Sequence, residues 1–156
     1  MATLGSYSQN EGVMTEIVCP SCLAVNRVPP EKPAESARCG KCRQALFSGR
    51  PVDVDGPALD RHLQRNAIPV VVDFWAEWCG PCKMMAPEFR KAAEAMEPHV
   101  RFAKLDTEAA PDKASAFAIR SIPTIIVFRG GREVARQLGA LPAGQIVQWI
   151  RDAVRS

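Results

Sequence analysis

Residues 68–82 read Ile68-Pro-Val-Val-Val-Asp-Phe-Trp-Ala-Glu-Trp-Cys-Gly-Pro-Cys82. The first nine, Ile68 to Ala76, are almost continuously apolar, and Asp73 is their one charged member. A short β-branched run without polar alternation predicts a strand covered on both faces. Trp78-Cys79-Gly80-Pro81-Cys82 follows at once and opens a helical pattern that reaches about Met96, with Pro87 inside it and expected to kink it. Cys79 therefore falls at a helix N-terminus, where unpaired N–H groups and the helix dipole favour an anion, so its thiolate should form near neutral pH. Pro81 is tolerated because first-turn N–H groups have no intrahelical partner. Cys82 lies one turn further in, and residues i and i+3 share a helix face on which a disulfide can close. An exposed, acidic sulfur beside a buried one is what thiol–disulfide exchange needs.

The surrounding pattern alternates helix and strand. Asp55-Gly-Pro predicts a helix start with Asp55 as cap, Pro57 in the first turn, and Leu59 and Leu63 inward. Val100–Leu105 reads as a strand and Pro111–Phe117 as a short helix. Thr124–Arg129 and Glu133–Leu138 read as strands joined at Gly130-Gly131, a hairpin signal. Pro142–Val154 reads as a closing helix with Ile146, Val147 and Ile150 at core spacing. The expected fold class is α/β, a mixed sheet covered by helices on both faces. Phe74, Trp75 and Phe89 read as core, and one of Met84 and Met85 should pack inward. His62 and His99 have no ligand spacing to any cysteine and read as surface residues.

The first third of the chain has a different logic. Cys19, Cys22, Cys39 and Cys42 form two C-x-x-C pairs, the spacing of a four-thiolate zinc site. Each turn aims two sulfurs at one point, and two turns complete a tetrahedron. Gly40 is expected to let the second turn bend sharply and Pro20 to stiffen the first. Residues 14–50 hold few large apolar side chains, so a unit this small needs a staple. Two structural disulfides are the competing reading; with no secretion signal in view, a reducing compartment favours metal. The domain reading is a flexible polar leader at residues 1–13, a four-cysteine zinc-ribbon module at 14–50, a Pro/Gly-rich connection at 48–57 with a short strand near Val52, and a full domain over 51–156.

The 156 residues carry a formal charge of +3 and 47% hydrophobic residues, a soluble globular composition. Residues 14–50 hold six basic and three acidic groups. Once four thiolates and a divalent cation are counted, little positive charge remains for phosphate binding, and no aromatic cluster lies beside it. Lys41 and Arg43 are expected to offset the thiolate charge. No apolar stretch approaches the roughly 20 residues of a membrane helix. No nucleotide-binding glycine motif occurs.

The stretch ending WCGPC resembles the thioredoxin family. So do Phe-Ala-Lys-Leu-Asp at 102–106, Ile-Arg-Ser-Ile-Pro-Thr at 119–124 and Gly-Ala-Leu at 139–141. The resemblance spans about residues 52–155 in order, and the cysteine module ahead of it narrows this to the zinc-containing bacterial thioredoxin-2 type. Asp106 and Ala118 stand where many members have Asn and Gly, which bears on local loops. The resemblance implies a thioredoxin fold and a protein-disulfide reductase. Cys79 would be the nucleophile and Cys82 the resolving thiol. Asp73, a lone carboxylate in an apolar strand, would be the base, with Lys104 tempering its pKa. Pro123 would be a cis-proline facing the cysteines. Trp78, Gly80, Pro81, Ile122, Gly139 and Ala140 would complete the substrate surface. The implied partners are disulfide-containing proteins and an NADPH-dependent thioredoxin reductase, with no nucleic acid and no membrane. One structural Zn²⁺, a monomeric state and a cytoplasmic location complete the expectation. Two other readings stand beside it: a zinc-dependent interaction module using the fold as scaffold, and zinc thiolates acting as an oxidant sensor.

Overall fold

The computed structural model describes residues 13–155. The expected flexible leader lies outside the described residues, apart from Val13. Two sheets organise the described residues. The first pairs β1 (Thr15–Val18) with β2 (Val25–Val28) in antiparallel register, Glu16 opposite Arg27. A 3-10 turn, Ala34–Ser36, comes next.

The second sheet has five strands: β3 (Val52–Asp53), β4 (Val70–Trp75), β5 (Arg101–Asp106), β6 (Thr124–Arg129) and β7 (Arg132–Leu138). Their spatial order is β3-β5-β4-β6-β7. β3, β5 and β4 run parallel; β6 is antiparallel to β4, and β7 to β6. Four helices cover the sheet: α1 (Gly56–Arg65), α2 (Gly80–Met96), α3 (Pro111–Ala116) and α4 (Ala143–Arg155). The expected α/β thioredoxin fold, a mixed sheet with helices on both faces, is the one observed.

β4 sits at the centre, which explains its composition. Val70, Val72 and Phe74 pack with Leu59, Leu63, Leu105 and Phe128 on the α1 side. Val71 packs with Met85, Phe89, Phe102, Ile146 and Ile150 on the α2/α4 side. With both faces apolar, no polar alternation survives. The pleat places Asp73 on the Val71 side, beneath α2. α1 starts as expected: the Asp55 carboxylate accepts from the Ala58 N–H at 2.9 Å. Gly130 and Gly131 take φ of +60° and +79°, which a tight hairpin turn of the primed type requires. α2 runs its 17 residues unbroken through Pro87.

The small module builds its own core from Ile17, Val28, Ala37, Leu46 and Phe47 around Cys19 and Cys39. It docks where β4 and β5 begin. The Ala67 N–H donates to the Glu16 carbonyl at 2.9 Å, and the Val18 N–H to Asn66 Oδ1 at 2.8 Å. Arg61 Nε donates to the Leu23 carbonyl at 3.0 Å. The 48–57 stretch is tied down: the Gly49 N–H donates to Glu97 Oε1 at 3.0 Å, and the Val54 N–H to the Lys104 carbonyl at 2.9 Å.

His62 departs from expectation. It is fully buried, not on the surface, and its Nδ1 meets Asn66 Nδ2 at 2.8 Å. It shares the inward α1 stripe of Leu59, Leu63 and Asn66, an i, i+3, i+4, i+7 set that turns toward the docked module. Burial, and then the nearby Arg101 charge, hold its pKa down to about 3. His99 is exposed.

Candidate functional site

Two sulfur centres lie at opposite ends of β4. β4 has six residues and rises about 3.3 Å at each, so its ends are on the order of 20 Å apart. The docked module sits at the start of β4, and the Cys79–Cys82 pair lies just past its end.

Cys79 is the N-cap of α2, and its Sγ accepts the Cys82 N–H at 3.2 Å. The two cysteines form a disulfide with Cα atoms 5.3 Å apart. Both side chains are buried in this oxidised form; Cys79 was expected to be exposed, yet it is only 3% accessible. Disulfide-bonded to Cys82, Cys79 Sγ lies 3.7 Å from the Ile122 carbonyl oxygen. The Ile122–Pro123 bond is cis, as the resemblance implied, and a second cis bond joins Glu97 to Pro98. The Gly139 N–H donates to the Pro123 carbonyl at 2.9 Å, with Gly139 at φ +89°. Trp78 stands 70% exposed beside the disulfide. Gly80, Pro81, Gly139 and Ala140 are exposed and Ile122 half-buried. A groove of about 250 Å³ runs between Trp78, Thr107, Ala114, Ile119, Arg120 and Ile122. Met84 points out and Met85 in.

Asp73 is fully buried, and neither carboxylate oxygen has a hydrogen-bond partner among the described residues. Desolvation pushes its pKa up to about 7, against a partial lowering by the Lys104 charge. Lys104 is half-buried on β5, in register with Asp73, and its Nζ lies 4.6 Å from the centre of the Trp75 ring. The two family departures have local accounts. Asp106 Oδ1 accepts the Glu108 N–H at 2.9 Å, closing a turn. Ala118 adopts φ +54°, the conformation that favours glycine.

The four remaining cysteines converge. Their sulfurs all lie within 4.8 Å of one another. Cys19 faces Cys42 and Cys22 faces Cys39, each at 3.6 Å. A tetrahedral Zn²⁺ with bonds of about 2.3 Å sets sulfurs about 3.8 Å apart, so the cluster fits such an ion. Each turn is built alike. The Ser21 N–H donates to Cys19 Sγ and the Lys41 N–H to Cys39 Sγ, both at 3.3 Å. The Cys42 N–H leads the contacts that pull the Cys39 thiol down to about 6. The sharp bend is not at Gly40, where a Cβ would have room, its nearest neighbour being Asn26 Oδ1 at 3.8 Å. It is at Leu23 and Arg43, which come directly after the second cysteine of each pair with φ of +68° and +70°. Their N–H groups donate to the Cys19 and Cys39 carbonyls at 3.0 and 2.9 Å.

Sequence reasoning passed over Arg101, Glu97 and Asn66 at the junction of the two units. A lone arginine opening the apolar run Arg101–Leu105 was the available signal.

Comparison with known proteins agrees with this geometry. The family model described as thioredoxin matches residues 51–152, and the one described as thioredoxin 2, N-terminal, matches residues 18–44. Thioredoxin C-3 of Corynebacterium nephridii is 48% identical over 134 residues, covering 86% of this chain and 92% of its own. The chloroplastic M-type thioredoxin of Chlamydomonas reinhardtii is 37% identical over 114 residues, covering 73% and 81%. Among solved structures, chloroplastic thioredoxin z superposes with a TM-score of 0.63 at 30% identity, covering 69% of this chain and 96% of that one. With its redox-active pair closing a disulfide across one helical turn and a four-cysteine ribbon ahead of it, the chain belongs to the thioredoxin family of protein-disulfide oxidoreductases.

Proposed function

We propose that the chain reduces protein disulfides through Cys79 and Cys82 while a Zn²⁺ held by Cys19, Cys22, Cys39 and Cys42 maintains the ribbon. The observation that carries the reading is the Cys79–Cys82 disulfide at the N-terminus of α2, with a buried carboxyl on β4 that has no hydrogen-bond partner among the described residues.

In the reduced protein the Cys79 thiolate attacks one sulfur of a substrate disulfide. The substrate S–S bond breaks, and its other half leaves as a thiolate. Cys82 then gives its proton to Asp73 and attacks Cys79 Sγ. The mixed disulfide breaks, the second substrate sulfur leaves, and the Cys79–Cys82 bond forms. Two electrons have passed to substrate. An NADPH-dependent thioredoxin reductase returns them. A carboxyl with a pKa near 7 is matched to taking a proton at neutral pH. The half-buried Lys104 cation keeps that pKa from rising further.

Trp78, Gly80, Pro81, Ile122, Pro123, Gly139 and Ala140 receive the substrate. The Ile122 backbone offers a strand-like edge to an extended segment. Cys19, Cys22, Cys39 and Cys42 would supply four thiolates to the ion, and holding it would tie together two turns that share a small apolar core. Among the described residues no helix is long and apolar enough to cross a membrane. The reading places the protein in a reducing cytoplasm, where thiolates stay available to metal.

Insulin-disulfide reduction, with Cys79→Ser as control, tests the enzyme reading. Turnover no faster than the control would overturn it. Metal analysis of the purified chain tests the ribbon; one equivalent of zinc is expected.

A further inference from the structure

Arg101 is the largest fully buried side chain among the described residues, 1% accessible, and it opens β5 of the sheet domain. Its guanidinium reaches into the ribbon. Nη2 donates to the Val18 carbonyl at 3.1 Å and to the Leu46 carbonyl at 2.8 Å. Its Cζ lies 4.3 Å over the Phe47 ring. Val18 directly precedes the ligand Cys19. On its other side, Nη1 lies 3.9 Å from Glu97 Oε2 in a pair whose side chains are 1% and 2% accessible. The third titratable neighbour, His62, stays neutral at working pH.

Burying a guanidinium costs several kcal/mol unless opposite charge compensates it. One carboxylate at 3.9 Å is a loose partner, and its Oε2 has no hydrogen bond among the described residues. Four thiolates around one Zn²⁺ form a centre of net charge −2. Such a centre would be anchored one residue along the chain from the Val18 carbonyl that the guanidinium holds. Lys41 and Arg43, the cations next to the ligands in sequence, are exposed and screened by water.

We propose that Arg101 is the charge partner of the ribbon's metal–thiolate centre, a positioning residue supplied by the thioredoxin domain that tightens zinc binding and fixes the ribbon against the sheet. The proposal rests on reading the four cysteines as a zinc site. Glu97 competes for the same cation. The two residues therefore act in opposite directions: removing the cation weakens the anionic centre, and removing the rival carboxylate strengthens it. A purely structural pair would lose in both cases.

The experiment is chelator competition for Zn²⁺ on the full-length chain and on Arg101→Met, Arg101→Lys and Glu97→Gln. It is run at about pH 8.5, where even a Glu97 raised to about 7 by burial is ionised. Arg101→Met is expected to lose 10- to 100-fold in zinc affinity, the usual effect of an outer partner. Arg101→Lys should recover part of that loss by keeping the charge. Glu97→Gln should bind zinc several-fold more tightly than wild type. Unchanged affinity in all three overturns the proposal, as does a Glu97→Gln loss matching Arg101→Met. If Arg101→Met fails to fold, the sign for Glu97→Gln decides. A wild type that binds no zinc overturns the metal reading itself, an outcome distinct from either.

Discussion

The ribbon and the redox helix use the same four-residue device and put it to opposite ends. In all three C-x-x-C turns the first sulfur accepts the N–H of the second cysteine: at 3.5 Å for Cys19, 3.5 Å for Cys39 and 3.2 Å for Cys79. The difference lies in the next residue. After Cys22 and Cys42 the chain turns left-handed at Leu23 and Arg43 and leaves. The turn ends after one loop, and two such turns can face each other with four sulfurs converging. After Cys82 the helix continues to Met96. Among the described residues the other four cysteines cluster elsewhere, and these two sulfurs bond to each other. The backbone path beyond the second cysteine decides whether the motif's sulfurs can converge with a second pair or close only on each other.

The widest expected contrast comes from metal removal. Cys19→Ala, or chelation, should unfold the ribbon, since zinc supplies roughly 10–16 kcal/mol to such modules. Separate melting of the two units and retained insulin reduction would sharpen the contrast. Loss of reductase activity as complete as in Cys79→Ser would break it. Cys79→Ser should itself lower turnover by about a thousandfold or more while zinc content stays the same, as elemental analysis would check.

Asp73→Asn comes next. The Asp73 carboxyl is raised in the folded protein, from 3.8 to about 7. The unfolded chain releases this proton first, so wild-type stability falls as pH rises between those values, by up to about 4 kcal/mol. Asp73→Asn should therefore be more stable than wild type above pH 7 in denaturant titrations, with the advantage vanishing below about pH 4. It should also lose roughly a hundredfold in turnover and the rise of activity through pH 7. An unchanged pH profile would remove Asp73 from the mechanism.

The smallest effects probe the turns. Ala118→Gly and Arg43→Gly relieve left-handed strain and should each stabilise by up to about 1 kcal/mol. Gly40→Ala should change stability by less than about 0.5 kcal/mol. A Gly40→Ala loss above about 1 kcal/mol would return the bend to Gly40.

The order of elements was legible because local signals agreed. Continuous Val and Phe in β4, the Asp55-Gly-Pro start and the Gly130-Gly131 turn each report short-range chemistry. Boundaries moved by a residue or two: β4 opens at Val70, after Pro69, whose missing N–H cannot join the ladder. The Leu23 and Arg43 bends were hidden because leucine and arginine carry no left-handed signal. His62 was misplaced because its inward stripe faces a module whose docking no local pattern records.

Spacing alone determined that six cysteines divide into four and two, and periodicity alone determined a covered central strand beneath the pair. Both are properties of neighbours along the chain. Only the tertiary structure decided that the ribbon docks at the start of β4, away from the disulfide, and that Arg101, 83 residues from Val18, is the cation buried beside it. Burial is set by surfaces distant in sequence, and a charge takes its partners from whatever the fold brings within a few ångströms once water is gone.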